Sequence, residues 1–354
     1  MDIPSHTKKI KGRGSAENPA NRFKPLYIER QDEFNDPEAV HPDTQFLKDN
    51  ARQIIVKNDS PDVGFDAGIN PYRGCEHGCV YCYARPGHEY LELSAGLDFE
   101  TKILVKENAP ELLRKELSAK SWTPQVLALS GATDSYQPAE KHLQITRKCL
   151  EVLLEFKNPV VIITKSSLVT RDIDLLQELA QSKCAAVYIS VTSLDSTLSR
   201  TLEPRASLPE KRLETIGKLR QAGIPVGVLV APVIPALTDH EIPAIVSAAS
   251  EAGAGFAGKI VLRLPHGVAD LFQAWLERHV PNKKEKVLNR IREIRGGKLN
   301  DSRFATRMQG EGVFAQQIQS MFSLACRKAG LAGKGPELST EFFQPPAGRQ
   351  LNLF

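Results

Sequence analysis

From Gly64 onward, short β-branched or apolar runs alternate with segments whose apolar residues recur at spacings of three and four, and this alternation restricts the fold more than any other feature. The runs are "DAGIN", "QVLALS", "VVIIT", "AAVYISV", "IPVGVLVAP" and "GKIVLRL". The intervening segments are "ELLRKEL", "HLQITRKCLEVLLEF", "RDIDLLQELAQS", "PEKRLETIGKLRQAG" and "TDHEIPAIVSAASEAG". Six β-then-α units of this kind build an α/β fold with a parallel sheet and helices packed outside it. Consecutive right-handed crossovers curl such a sheet into a partial, open (β/α)6 barrel more readily than into a flat, doubly wound one. Functional side chains are then expected at the carboxyl ends of the strands.

Residues 1–60 are polar and show little periodicity, which predicts a mostly unstructured N-terminal arm with one short helix near "TQFLKDNARQIIV". The barrel is assigned to 61–268. After "VLRLPHG" only helical patterns remain, "VADLFQAWLERH", "KEKVLNRIREIRGG" and "VFAQQIQSMFSLACRKAG", so 269–335 reads as a helical C-terminal extension and 336–354 as a tail. With 41% hydrophobic and 25% charged residues the composition is that of a folded soluble protein, not of a disordered one. No apolar run approaches the roughly 18 residues of a membrane helix, and "MDIPSHTKKIKGRG" lacks the apolar stretch of a signal peptide. A cytoplasmic setting is expected, where clustered cysteines bind metal more often than they form disulfides.

Three of the six cysteines crowd into "RGCEHGCVYCYAR", with the spacing Cys75-x3-Cys79-x2-Cys82. They follow the first predicted strand, in a loop where Gly74 and Gly78 permit tight turns. A structural zinc ion would take His77 or His88 as a fourth ligand and close a tetrahedron. An iron–sulfur cubane held by three thiolates would keep one iron free of protein ligands. The cluster is favoured, because zinc loops usually pair two CxxC knuckles and the chain has no second one. Cys149, Cys184 and Cys326 lie apart on helical segments and read as core.

The CxxxCxxC motif with an aromatic residue before its third cysteine, placed after the first strand of six β/α units, resembles the radical S-adenosylmethionine (SAM) superfamily over roughly Asp62 to Pro265. Within it, "NPYRGCEHGCVYCYARP", "TDSYQPAE" and "LEPRASLPEKRLETI" are similar to the spore photoproduct lyase group, the DNA repair photolyase-like proteins. The resemblance implies a 4Fe-4S cluster on Cys75, Cys79 and Cys82 whose open iron is chelated by SAM. One electron would cleave SAM to methionine and a 5'-deoxyadenosyl radical. It also implies an electron donor such as flavodoxin or ferredoxin, and damaged or modified DNA as substrate. Tyr81 and Tyr83 match paired tyrosines associated with radical relay in that group, although packing beside the cluster is the plainer role for Tyr81. The cysteine hydrogen donor that spore photoproduct lyase carries after its second strand has no counterpart in "SGATDS". That departure leaves room for radical modification of a protein, RNA or small metabolite, and a zinc-stabilised binding module is the non-enzymatic alternative.

For the cofactor, Ser130, Thr133 and Asp134 are candidates to accept from the SAM amino group, or else form a polar turn. Lys165, where the related lyases place a lysine, suits the carboxylate, with a solvated lysine as the alternative. Ser190 and Thr192 share one strand face and suit ribose hydroxyls. Arg205 is a second carboxylate candidate or a helix cap, and Val233 with Ile234 would lie against adenine or in the core. The stretch holding Arg290, Arg292, Arg295, Lys298, Arg303 and Arg307 has the density that phosphate contacts need, while most such runs are solvated faces. The terminal "QLNLF" resembles the peptide that docks replication and repair proteins on the DNA polymerase sliding clamp, through Gln350, Leu351, Leu353 and Phe354.

Overall fold

The computed structural model describes residues 12–23 and 43–345. The strands, which include the six apolar runs, are β1 (Gln45–Lys48), β2 (Ile55–Lys57), β3 (Ala67–Ile69), β4 (Tyr72–Arg73), β5 (Lys102–Val105), β6 (Leu127–Leu129), β7 (Val160–Thr164), β8 (Ala185–Ser190), β9 (Val226–Val233) and β10 (Phe256–Val261). The α-helices are α1 (Leu97–Thr101), α2 (Ala109–Leu117), α3 (Glu140–Leu143), α4 (Ile145–Phe156), α5 (Ile173–Gln181), α6 (Ser196–Leu202), α7 (Pro209–Gln221), α8 (Ile242–Glu251), α9 (Val268–His279), α10 (Lys284–Glu293), α11 (Thr306–Gln309) and α12 (Val313–Ala329).

A seven-stranded sheet runs in the order β10-β9-β8-β7-β6-β3-β2. Every neighbouring pair from β3 to β10 is parallel, and β2 closes that edge antiparallel to β3. The edges do not pair with each other, so the sheet is open. A small second sheet sets β5 between parallel β1 and antiparallel β4. β8 is almost wholly buried, as expected of a parallel strand covered on both faces. Helix α4 turns Ile145, Cys149, Leu150, Val152, Leu153 and Phe156 into that core, the stripe that its spacing of apolar residues predicts.

The structure corrects three expectations. The stretch "TQFLKDNARQIIV" holds two strands and no helix. Its amide groups find partners elsewhere: β1 pairs β5, β2 pairs β3, and the N–H groups of Ile54 and Ile55 donate to the Glu116 carboxylate at 2.7 and 3.1 Å. The N-terminal arm is also not loose over residues 12–23. Gly14 and Ser15 donate to Glu100 at 3.0 and 2.8 Å, and a Cβ on Gly14 would sit 1.7 Å from the Gly78 carbonyl oxygen. Finally, β10 begins earlier than "GKIVLRL" suggests, because Phe256 packs over Gly227, where a Cβ would meet its ring at 2.1 Å.

The C-terminal helices are not an appendage. Leu271, Phe272, Trp275, Leu276, Leu288 and Ile291 of α9 and α10 share one buried cluster with Cys79, Val80 and Tyr81 of the cysteine loop. Residues 331–345 then cross the amino ends of the strands. Ala332 bridges to Phe256, Ser339 donates to the Lys183 carbonyl at 3.0 Å and Gln344 to that of Phe156 at 3.0 Å. The "QLNLF" residues lie outside the described residues. Among the described residues no helix is long and apolar enough to cross a membrane.

Candidate cluster and cofactor site

The cysteine loop leaves β4 at the carboxyl end of the main sheet and is tied down on every side. Gly74 and Gly78 take φ of +84° and +68°, and a Cβ on Gly78 would lie 2.7 Å from the Glu100 carboxylate, so both places need glycine. Cys75 donates its N–H to the Phe99 carbonyl at 2.9 Å. Gln137 donates to the Gly74 carbonyl at 3.1 Å and accepts from Glu76 N–H at 2.9 Å. Fully buried Arg85 donates to the Cys79, Ala95 and Gly96 carbonyls and pairs with Glu100 at 2.5 Å. A guanidinium that fastens three carbonyls and one carboxylate makes the loop a rigid frame.

Cys75, Cys79 and Cys82 are free thiols lining one cavity of about 580 Å³. Burial pushes all three thiols up in pKa; Asp134 adds to this at Cys75 and Glu203 at Cys79. Thiolates here therefore call for a compensating cationic centre, which fits an iron–sulfur cluster. His88 is spent on the Lys102 carbonyl at 2.9 Å, packed against Phe99. His77 does line the cavity; its Nδ1 is buried without a hydrogen bond, 3.4 Å from Asp134 Oδ2. Among the described residues, no three Cys, His, Asp or Glu side chains converge on a position for a single ion.

Behind the thiols lies a buried polar network. Tyr81 donates its hydroxyl to Glu203 and lies 3.2 Å from Thr192 Oγ1, which itself donates to Glu203 at 2.6 Å. Arg212 pairs with the other Glu203 oxygen and donates to the carbonyls of Ser190 at 3.0 Å and Ser207 at 2.7 Å. Lys165 Nζ reaches the Ala231 carbonyl at 2.9 Å and lies 3.7 Å from Glu203. Burial would raise the Glu203 pKa, but Arg212, Lys165 and these hydrogen bonds outweigh it and bring the carboxyl down to about 2.

Of the residues proposed from sequence for the cofactor, Ser130, Thr133, Asp134, Lys165 and Ser190 line the cavity. Asp134 accepts from Thr164 Oγ1 at 2.7 Å and from the Lys165 N–H at 2.8 Å. Burial works against its charged form, but His77 and these donors prevail and its pKa is lowered. Thr133 donates to the Tyr72 carbonyl at 3.1 Å, and Ser130, at φ +87°, shares a hydrogen bond with Ser135. Thr192, Arg205 and Ile234 are not among the lining residues. Thr192 belongs to the Glu203 network. Arg205 pairs with Glu76 at 2.9 Å, and its N–H caps the His77 carbonyl at 3.2 Å. Ile234 and Val233 are buried in the two apolar clusters, and Leu229, Ala231 and Pro232 face the cavity in their place.

Tyr81 and Tyr83 have different surroundings. Tyr81 is buried, whereas Tyr83 is 47% exposed at the mouth, its hydroxyl on the Gly131 carbonyl and its ring 4.3 Å from the Arg263 guanidinium. Glu203, Arg212 and Arg263 were missed from the sequence. Glu203 and Arg212 stand inside a quoted motif, where a carboxylate and a guanidinium nine residues apart were the available signal; nothing local marked Arg263. The basic stretch is largely neutralised within the molecule. Arg290 pairs with Glu293, Arg303 with Asp301 and Glu311, and Arg307 with Asp62, while buried Arg295 donates to the Leu262 and Thr306 carbonyls.

Three clustered thiols, two of them buried, at the carboxyl end of an open parallel sheet fit an iron–sulfur α/β protein. The radical SAM superfamily model matches residues 69–249, and the chain belongs to that superfamily. That superfamily works with a 4Fe-4S cluster and S-adenosyl-L-methionine. An uncharacterised protein of Mycobacterium tuberculosis is 37% identical over 228 residues, 64% of this chain and 66% of that protein, just under two thirds of its length. The radical SAM Nalpha-GlyT isomerase of Pseudomonas phage M6 is 29% identical over 172 residues, 48% of this chain and 34% of that protein. Spore photoproduct lyase complexed with dinucleoside spore photoproduct superposes with a TM-score of 0.58 at 15% identity, covering 80% of this chain and 79% of that one. A double mutant of that lyase with bound AdoMet and the same photoproduct gives 0.54 at 15% identity, over 77% of this chain and 76% of that one. These likenesses carry the fold.

Proposed function

We propose that the chain is a lyase-like radical SAM enzyme acting on damaged or modified DNA, with its open sheet curved as a partial barrel around the cavity. The observation that carries this reading is the set of three thiols lining one cavity of about 580 Å³ at the carboxyl ends of parallel strands. Strand residues Gly68, Ile163, Ser190, Leu229 and Ile260 all face that space, which supports a concave sheet. Cys75, Cys79 and Cys82 would hold the 4Fe-4S cluster. When bound, it supplies the electron that splits the SAM sulfonium into methionine and a 5'-deoxyadenosyl radical.

The chain's own groups bind, orient and shield. Asp134 presents a carboxylate to the SAM amino group, with Ser130 and Thr133 beside it, and Lys165 presents an ammonium to the carboxylate. Ser190 serves the ribose, and Leu229, Ala231 and Pro232 take the apolar face of adenine. Glu203, itself held by Arg212, anchors Tyr81 of the cluster loop. Tyr83, whose hydroxyl meets a carbonyl at the cavity mouth, is the tyrosine placed to give or take a hydrogen atom; Cys149, Cys184 and Cys326 do not line the cavity. The dinucleoside photoproduct in two of the structural neighbours supports a nucleic-acid substrate. A cytoplasmic setting, reduction by a flavodoxin or ferredoxin, and docking of Gln350, Leu351, Leu353 and Phe354 on a sliding clamp complete the proposal.

Anaerobic reconstitution with iron, sulfide, SAM and dithionite tests it. The wild type should hold iron and sulfide in about equal amounts and release 5'-deoxyadenosine, and Cys79→Ala should lose both. Equal turnover in the two proteins would end the reading.

A further inference from the structure

The mouth of the cavity carries a guanidinium that no hydrogen-bond acceptor among the described residues engages. Arg263 follows β10 and lines the cavity, partly buried, with its Cζ 4.3 Å from the centroid of the Tyr83 ring. Among the described residues no carboxylate or carbonyl accepts from it. The contrast with its neighbours is sharp: Arg307 is bound to Asp62 at 2.5 and 2.7 Å, and Lys165 to the Ala231 carbonyl at 2.9 Å. Arg263 is partly exposed, so its five N–H donors are met by water in the free protein and are available to an incoming acceptor.

The surroundings narrow the ligand. The guanidinium lies over the Tyr83 ring and meets no acceptor among the described residues, so its planar fork is available for bidentate contact with an oxyanion. Phe65 lies beside Gly131, whose carbonyl takes the Tyr83 hydroxyl; Val56 and Met308 add apolar surface, and exposed Lys57 adds a second positive charge at the rim. Aromatic faces interleaved with cationic donors match a chain of planar bases joined by phosphates better than a carboxylate on a flexible peptide.

We propose that Arg263 is a phosphodiester anchor: it grips the backbone phosphate of a single-stranded or unstacked nucleic-acid segment, and Tyr83 and Phe65 receive the adjoining base at the entrance to the cluster cavity. This rests on the nucleic-acid reading above. An anchor here sets which nucleotide reaches the thiol-lined end, so Arg263 governs placement of the substrate, not SAM binding.

The test is fluorescence anisotropy of the cluster-loaded protein with a short fluorescein-labelled oligothymidylate, over a series of salt concentrations. Arg263→Gln should weaken binding about tenfold or more and reduce the slope of log K against log salt by roughly 0.7, the share of one phosphate on a single strand. Arg263→Lys should keep the slope and recover only part of the affinity, since it retains the charge but loses the planar fork. Iron content should match the wild type in both variants, which separates lost contact from lost fold. Unchanged affinity and slope in Arg263→Gln would overturn the anchor alone. Weaker SAM binding in Arg263→Gln by equilibrium dialysis, with the oligonucleotide unaffected, would reassign the residue to the cofactor and overturn it too. Equal competition by polyglutamate would move the site to a protein carboxylate, and a wild type that cleaves SAM yet binds no oligonucleotide would sink the anchor together with the nucleic-acid reading.

Discussion

A carboxylate with no solvent exposure to speak of holds the back wall of this site, and its charge is kept only by what surrounds it. Glu203 is 2% exposed and takes hydrogen bonds from Tyr81, Thr192 and Arg212. Replacing it with Gln leaves Arg212 buried opposite a neutral amide, and the loss should be about 3 kcal/mol in urea unfolding, the cost of breaking a buried pair by removing one member. Because its folded pKa is depressed to about 2, below the ordinary 4.5, the stability it contributes is complete above pH 4.5 and drains away as pH falls toward 2. Acid titration of the wild type and Glu203→Gln by circular dichroism should therefore converge at the low end of that window. The two tyrosines separate on the same ground. Tyr81→Phe deprives Glu203 of a buried donor and should lower stability by about 1 to 2 kcal/mol, whereas Tyr83→Phe, at a half-exposed ring, should change the unfolding midpoint little.

At the scale of elements, the cysteine loop keeps its shape because a separate strand of chain lies on top of it. Gly14 meets Gly78 where neither can carry a side chain, and Glu100 joins the two segments to Arg85. Gly14→Ala should lift residues 12–23 off the loop, seen as faster proteolysis of that segment and faster bleaching of the cluster in air; a variant with wild-type rates on both counts would refute the role of the overlay. The six parallel strands were legible because their apolar runs are largely buried and flanked by amphipathic helices, so pattern and packing agree. β1 and β2 were not: "QFLK" and "IVK" are short and mostly exposed, and only pairing with β5 and β3 makes them strands. The cysteines could be read from spacing alone, since three thiols in eight positions have few structural uses. Thr192, Arg205 and Ile234 misled because a place near a strand end or inside a motif does not tell whether a buried carboxylate, an ion pair or an apolar cluster already engages the side chain.

Because the helical extension packs into the cluster that carries the cysteine loop, the described residues should unfold as one cooperative body. Trp275 of α9 donates its indole N–H to the Thr201 carbonyl at 2.9 Å and packs in the cluster that contains Cys79 and Tyr81. Trp275→Ala should cost about 3 to 5 kcal/mol, with cluster loading falling alongside stability. In the wild type, far-ultraviolet circular dichroism and tryptophan fluorescence should report coincident unfolding in urea; two separated transitions would show that 269–335 is a domain of its own. The same interlocking has a consequence for biosynthesis. The cavity draws its walls from Val56 and Phe65 near one end of the chain, the thiols soon after, and Arg263 and Met308 much later. A ribosome therefore delivers all three sulfur ligands long before the chamber that shelters them exists, and metal acquisition is safe from oxygen only once translation has passed Met308. Nascent chains stalled short of that point should accept iron and sulfide yet surrender them in air, while the released polypeptide retains them.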